Sequence, residues 1–506
     1  MNPSMPISST HRRPWAPRVA ACLLVLMLSA CGGNFEVNTV DSRTRLSMNA
    51  CAVPIADVGA QCGTLTVPEN RDRADSRLIR LPFVVLPARQ AAKAADPVLV
   101  LGGGPGSSVL LALASAPAEL LAQHPLRQGR DLIALDQRGT PLTGPGSLDC
   151  PELLRDYAAG ECFMSDAELV SAASACQARL RSQGVDLSAY DSRHSARDLK
   201  EFRQLLGERR GFWQWNVVAT SYGTRLALTA LQDRGDSVRS MVLDGPLPPQ
   251  ANALYSAGVL DALDQVLGAC AAQPDCNAAY PGLRARFAQA LEQLEQRPHM
   301  LPGGAAGSGQ RVLNVMRTHL AAGAAQHLPL AMDLVAQGRI EQADAMLGLS
   351  AWIDRVAPAS GMYLSVMCRD ENGQPSTPGR LPEEGAAWPD AVRRASALHG
   401  TQATTSICPA WLQGQQRLPR PTAVRSAVPT LVTVGQFDPM TPVTKAAQVR
   451  EGLPQARVVV FGGQGHGLLE SDLCLLQVAA GFIERPDRAP DTTCVPGPGA
   501  TEFIVP

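Results

Sequence analysis

The chain has 506 residues, of which 18% are charged and 45% hydrophobic, and its formal net charge is −1. That balance, with the basic residues scattered, excludes the electrostatic footprint of a nucleic-acid binder. The length admits two or three domains, or one large α/β core carrying insertions, so core burial is not limiting.

Arg12, Arg13 and Arg18 precede the apolar run 19–28, which is followed by Ser29-Ala30-Cys31. A positive segment, an apolar segment too short for a permanent span and small residues before a cut make a secretory signal over 1–30. Leu28-Ser29-Ala30-Cys31 is similar to the bacterial lipobox, whose cysteine is acylated and becomes the new N-terminus; an ordinary signal with a chance cysteine is the alternative. The protein is thus expected to be exported and attached to the cell envelope through lipidated Cys31. Gly32, in place of Asp, favours the outer membrane where a cell has two. Of thirteen cysteines, Cys22 leaves with the signal and Cys31 takes lipid. The eleven that remain read as disulfides with one left over. No pair has the C-x-x-C spacing of a zinc or redox site, so no metal is expected.

Residues 31–50 are polar and aperiodic, as in a tether. The fold then opens at Cys51 and Cys62, with a strand expected over 78–88. The apolar run 97–101 ends in Gly102-Gly103-Gly104-Pro105-Gly106-Ser107. No G-K-[ST] follows, which removes the phosphate-loop reading. Either the glycines make a tight turn, or they offer a backbone N–H to an oxyanion. Strand 131–136 leads into Asp136-Gln137-Arg138-Gly139-Thr140, and helical spacing follows over 166–182 and 195–206.

At 213–229 an apolar β-branched run meets Ala219-Thr220-Ser221-Tyr222-Gly223 and turns directly into an apolar helical pattern. Strand, sharp turn and helix with small residues around a serine make a nucleophile elbow, with Ala219 in the place of the first glycine. Strand 238–243 closes at Asp244-Gly245-Pro246. From 247 to 425 strand signals nearly vanish, and patterns such as Leu283, Phe287, Leu291 and Leu294 read as helices. Within this stretch 303–309, GGAAGSG, reads as a flexible loop. The sheet resumes at 429–435 with Gln436-Phe437-Asp438 at its end, and a last strand over 456–461 ends in Gly462-Gly463-Gln464-Gly465-His466-Gly467.

Alternating strands and helices predict an α/β fold with a mostly parallel sheet covered on both faces. The expected division is core over 51–246, helical lid insertion over 247–425 and core again over 426–506. Ser221, Asp438 and His466 each follow a separate strand in the order nucleophile, acid, base. The serine needs an imidazole to take its proton, and the imidazole needs a carboxylate to set its tautomer.

GGGPG, DQRGT, SYGT, VLDG, GQFDPMTP and GQGHG in this order resemble the secreted tripeptidyl and prolyl aminopeptidase-like α/β-hydrolases, from Cys51 to the C-terminus. The resemblance implies hydrolysis of a peptide, amide or related ester through a serine acyl-enzyme, without a cofactor. It also implies an oxyanion hole from the N–H groups of Tyr222 and of Gly103 or Gly104. The sequence departs at Gly102, where a histidine is common, at Ala219, and at Pro141-Leu142-Thr143 after RGT. A carboxylesterase or lipase with the same triad, and a non-catalytic binding lipoprotein, remain as alternatives. Resemblance and proximity in sequence suggest the pairs Cys51–Cys62, Cys150–Cys176, Cys270–Cys276, Cys368–Cys408 and Cys474–Cys494, leaving Cys162 odd, although sequence alone does not determine connectivity. In the resembling family an acidic residue sits two places after a cysteine of the lid, which brings Asp370, with Glu371, forward as partner for a substrate ammonium. A solvated charge pair beside Arg369 is the alternative.

Overall fold

Runs of Val, Leu and Ile with side chains alternating between two faces build a nine-stranded sheet. Its strands are β1 (Arg45–Met48), β2 (Gln61–Pro68), β3 (Leu78–Leu86), β4 (Val98–Leu101), β5 (Leu132–Leu135), β6 (Trp215–Thr220), β7 (Val238–Asp244), β10 (Thr430–Gly435) and β11 (Ala456–Phe461). A separate two-stranded pair joins β8 (His299–Met300) to β9 (Ala306–Gly307). The computed structural model describes residues 40–506 except 57, 154–165, 234–236, 252–257, 352–359, 371–384, 397–400, 414, 416–417, 420 and 471.

The spatial order is β1-β2-β3-β5-β4-β6-β7-β10-β11. β1, β2, β3 and β5 pair antiparallel, and from β5 to β11 every pairing is parallel. The carboxyl ends of β4, β6, β7, β10 and β11 therefore lie along one edge. The glycine loop, Ser221, Gly245, Asp438 and His466 all follow those ends.

Both faces are covered, which is why the central strands read as continuous apolar runs. Val217 and Ala219 pack with Leu199, Phe202 and Leu206 of helix Ser192–Arg210 and with Leu226 of helix Tyr222–Asp233. Val218 faces the other way, with Leu110 and with Leu476 and Phe482 of helix Leu473–Glu484. Helix Ser192–Arg210 is longer than its apolar spacing suggests because Asp191 caps its first turn and Gly211, at φ 80°, ends it.

Between β7 and β10 the helices Gly258–Ala271, Leu283–Gln296, Gly309–Ala321 and Leu328–Ala336 share a core of their own around Leu263, Phe287, Leu291, Met316 and Met332. Phe437, just past β10, enters that core, as does Phe503 near the C-terminus. Helices Ser360–Asp370 and Thr401–Leu412 pack instead with helix Asp166–Ser182 and with Tyr222. Among the described residues no helix is long and apolar enough to cross a membrane.

Two expectations are corrected. The expected tether contains β1, an edge strand whose Leu46 and Met48 pack on the core at alternate positions while Arg45 and Ser47 face solvent. Four residues carry too short a period-two signal to stand out from a polar segment. The expected flexible loop 303–309 instead has a defined turn, with Gly303 at φ 81° and Gly304 at φ 83° reversing the chain so that β9 pairs with β8.

Candidate active site

β6 is buried along its whole length, and the chain leaves it through Ser221 at φ 55°, a left-handed conformation for a residue other than glycine. Such a backbone costs roughly 1–3 kcal/mol and is held by its surroundings. The Ser221 N–H donates to the Asp244 carbonyl at 2.9 Å, and its own carbonyl accepts the Thr224 hydroxyl at 2.6 Å. Gly223 is required by close approach: a Cβ there would lie 2.5 Å from the Leu101 carbonyl oxygen and 2.7 Å from that of Gly102. Two residues before the serine, the Ala219 methyl is accommodated in the core layer. Ser221 is left half-buried between a buried strand and a buried helix.

The segment after β10 wraps its own carboxylate. Asp438 Oδ1 accepts the N–H groups of Met440 and Thr441, both at 2.8 Å, and Oδ2 accepts the Thr441 hydroxyl at 2.9 Å. Oδ2 also lies 2.7 Å from His466 Nδ1, so the imidazole carries its Nδ1 proton toward Asp438 and keeps Nε2 for a reacting proton. The Thr441 oxygen sits 3.2 Å from the same Nδ1. The His466 N–H donates at 3.0 Å to Ala321, the last residue of helix Gly309–Ala321. Asp438 and His466 are thus joined directly. Ser221 stands on the same sheet edge and is tied to it through the end of β7, where the Asp244 carbonyl holds its N–H and the next residue, Gly245, abuts the His466 ring. Thr441 was not singled out from sequence, although the spacing D-P-M-T, an acid followed three places on by a hydroxyl, is the signature of a side-chain-closed turn.

The glycine loop passes against the serine. A Cβ on Gly103 would lie 3.1 Å from Ser221 Cβ and 3.6 Å from Oγ. Gly104 and Gly106 stand at φ 109° and 104°. The segment DQRGT is what holds this loop. Asp136 accepts the Ser108 hydroxyl at 2.6 Å and the Leu110 N–H at 3.1 Å, and the Gln137 amide donates to the Gly102 carbonyl at 3.3 Å. Burial pushes the Asp136 carboxyl up, against the pull of those hydrogen bonds. Arg138 points the other way and forks onto Asp198 at 2.7 and 2.8 Å. As the first residue of its helix, Tyr222 has an N–H with no intrahelical acceptor. That N–H and the Gly103 backbone both lie beside Ser221.

Residues 96–285 match the family described as alpha/beta hydrolase fold, and residues 396–494 match the family described as TAP-like protein. The chain is a TAP-like α/β-hydrolase. Three proteins similar to it are YuaR of Escherichia coli (strain K12), serine protease Hip1 of Mycobacterium tuberculosis (strain ATCC 25618 / H37Rv) and a tripeptidyl aminopeptidase of Streptomyces coelicolor (strain ATCC BAA-471 / A3(2) / M145). Identity to YuaR is 24%, over 86% of this chain and 87% of that protein. For Hip1 it is 22%, over 84% and 85%, and for the aminopeptidase 27%, over 40% and 38%. With these relatives and the elbow serine, the hydrolase is a serine hydrolase.

Behind Tyr222 the hydrolase buries a polar cluster. Asp191 accepts the His194 N–H and faces its Nδ1 with Oδ1, at 2.9 and 2.8 Å, and accepts Arg369 Nε with Oδ2 at 3.0 Å. Against burial, the His194 hydrogen bond and the charges of His194 and Arg369 hold Asp191 well below the usual carboxylate range. Arg369 is therefore occupied, and the alternative of a solvated pair of Asp370 and Glu371 beside it does not hold for Asp370, because Arg369 and Asp370 are both buried at the end of helix Ser360–Asp370. Asp370 is 8% exposed and accepts the Ser192 N–H at 3.2 Å. The Ser192 hydroxyl sits 2.9 Å from the Tyr222 hydroxyl. Burial, and then the negative charge of Asp191, push Asp370 up. Burial and then the charge of Asp370 push the Tyr222 phenol up, and Ser192 links the two, its N–H on Asp370 and its hydroxyl beside the Tyr222 hydroxyl.

The bridges Cys51–Cys62, Cys150–Cys176, Cys270–Cys276, Cys368–Cys408 and Cys474–Cys494 are formed. Cys368–Cys408 fastens the helix that carries Asp370. Cys150, Glu152 and Cys176 are close enough to hold a metal ion, but the disulfide consumes both sulfurs. Cys31, Cys162 and Glu371 lie outside the described residues.

Proposed function

We propose that this hydrolase is an exported aminopeptidase, of tripeptidyl or prolyl type, that cleaves peptide or amide bonds near a free amino terminus. Ser221, His466 and Asp438 act as nucleophile, base and acid. His466 Nε2 takes the Ser221 hydroxyl proton as Oγ bonds to the scissile carbonyl carbon, and the carbonyl electron pair moves onto oxygen. The N–H groups of Tyr222 and of Gly103 or Gly104 hold that oxyanion, each supplying on the order of a hundred- to a thousand-fold in rate. The carbon–nitrogen bond then breaks, the leaving amine takes the proton from the imidazolium, and water repeats the sequence on the ester to release the acid.

The observation that carries the peptidase reading is Asp370, a buried carboxylate joined through Ser192 to Tyr222, the residue next to Ser221. Its raised pKa gives it affinity for a cation that restores its charge, and a substrate ammonium is such a cation. The charge of Arg225 offsets part of this rise, while its Nη2 donates to the carbonyls of Pro248, Pro249 and Ala251 at 3.4, 3.4 and 2.6 Å. The name of the Streptomyces coelicolor relative supports the same substrate class.

The test is Asp370→Asn assayed on matched free and N-acetylated peptide amides. Loss of one partner of a buried charge pair costs about 2–5 kcal/mol, so kcat/KM on the free amine falls at least about thirtyfold while the blocked substrate is little affected. An equal effect on both removes Asp370 from the site. Turnover of short-chain esters well above that of every aminoacyl, dipeptidyl and tripeptidyl amide would make the hydrolase a carboxylesterase instead. Attachment to the membrane through lipidated Cys31 belongs to the same proposal. Cys31→Ser is expected to move the protein from a detergent-requiring fraction to a soluble one, and an unchanged distribution refutes the anchor.

A further inference from the structure

Asp244 ends β7, the strand between the one that leads to Ser221 and the one that leads to Asp438. In the sheet it stands across from Thr220 on one side and Thr433 on the other. Its main chain already serves the site, since its carbonyl accepts the Ser221 N–H at 2.9 Å and the following Gly245 abuts the His466 ring. Its side chain is unused by the acyl-transfer scheme. Yet Asp244 is 1% exposed, and its carboxylate reaches toward the same histidine segment. Oδ1 accepts the Thr433 hydroxyl at 3.1 Å, and Oδ2 accepts the Leu469 N–H at 3.1 Å. Leu469 lies three residues past His466, inside the 3-10 turn Leu468–Glu470 that ends the histidine loop.

A carboxylate is a costly way to satisfy two donors in a dry sheet edge unless its charge has a use. Among the described residues, the titratable groups whose charge acts on it are His466, past β11, and Asp438, past β10. Asp438 is of like charge and destabilises it, so the imidazole is what the second negative charge can favour. We propose that Asp244 is a positioning residue for the reaction: it holds the turn carrying His466 through the Leu469 N–H, and its charge favours the imidazolium formed when Ser221 attacks. Burial raises its pKa to about 6, opposed by the Leu469 hydrogen bond and by His466, raised further by Asp438 and lowered by Thr433. The group is therefore ionised at neutral pH and above, where a neutral imidazole can act as base. The inference rests on the triad and not on the substrate class.

The test measures the rate of fluorophosphonate labelling at Ser221 from acid to alkaline pH, together with kcat/KM on a simple nitrophenyl ester. Neither readout requires a peptide substrate. Labelling requires neutral His466, so its acid limb reports the imidazole. In Asp244→Asn the negative charge is gone, the imidazolium is less favoured, and the acid limb moves to lower pH by about half a unit or more. The plateau falls about tenfold or more because the histidine turn is held by a poorer acceptor. Thr433→Val removes one hydrogen bond to the ionised carboxylate, raising its pKa, and is expected to move the limb the same way by a smaller amount. A limb and plateau that match the parent protein in Asp244→Asn, with at most a loss of thermal stability, overturn the proposal. If Asp244→Asn does not fold, Thr433→Val decides alone, and an unmoved limb there overturns it equally. Labelling that survives Ser221→Ala would instead refute the triad itself.

Discussion

Gly245 gives the most direct check on where His466 stands. Its φ is 56°, and a methyl placed there would lie 2.9 Å from His466 Cε1 and 2.9 Å from Thr441 Oγ1. Non-bonded carbon contacts are comfortable near about 3.5–4.0 Å, so Gly245→Ala must push the imidazole and the threonine back by roughly half an ångström or more. The left-handed backbone adds about 1–2 kcal/mol of destabilisation for any residue with a Cβ. The catalytic cost is separate. A displacement on the order of 1 Å in a reacting group lowers the rate about a hundredfold, so a loss in kcat of about ten- to a hundredfold is expected. Gly211→Ala supplies the control, because Gly211 stands at φ 80° with nothing within 4 Å of its Cβ. It carries the same backbone penalty and touches no part of the site. Both variants are compared by thermal unfolding, by kcat and by fluorophosphonate labelling rate. If both lose similar stability but Gly245→Ala keeps kcat within about twofold of Gly211→Ala, the position assigned to the base is wrong.

Ser221→Ala is expected to abolish both phosphonate labelling and turnover, whereas Ser107→Ala and Ser108→Ala still label, which mass spectrometry of the adduct checks. Ser108→Ala additionally loses the cap of helix Val109–Ser115 and a bond to Asp136, and thermal unfolding should register about 1 kcal/mol. Thr441→Val deletes the hydroxyl donated to Asp438 at 2.9 Å. A hydrogen bond to a charged group is worth about 1.5–3 kcal/mol, so kcat falls about ten- to a hundredfold with KM little changed, and an unchanged kcat assigns the hydroxyl to stability alone. The pH dependence of KM tests Asp370. Burial and Asp191 raise its pKa, so acidification protonates it before ordinary carboxylates and removes the charge that holds an ammonium. KM for free-amine substrates should therefore rise as pH falls through that raised pKa, while KM for N-acetylated substrates stays level; parallel curves would count against the assignment.

What the sequence alone determined is what depends on neighbours along the chain. A β-branched run, one serine flanked by small residues and an immediate apolar helix specify strand, strained turn and helix, because the backbone sterics of Ser221 and the close approach at Gly223 are set within a few residues. The same local logic made Asp438 and His466 legible as residues just past buried strands, and Leu283, Phe287, Leu291 and Leu294 legible as one face of a helix. The role of Asp244 could not be read this way. Its carboxylate meets Thr433 across 189 residues and Leu469 across 225, contacts that exist only because β7 lies between β6 and β10. Asp370 is a similar case. In sequence it reads either as a substrate partner or as half of a solvated pair with Glu371 beside Arg369, whereas in the fold Arg369 pairs with Asp191, 178 residues away, and Asp370 is buried against Ser192. Local sterics and hydrophobic period act within a turn or a strand. Strand order and the burial of charge are decided by contacts between distant segments, whose energies appear only once the sheet and the helices of the insertion have packed.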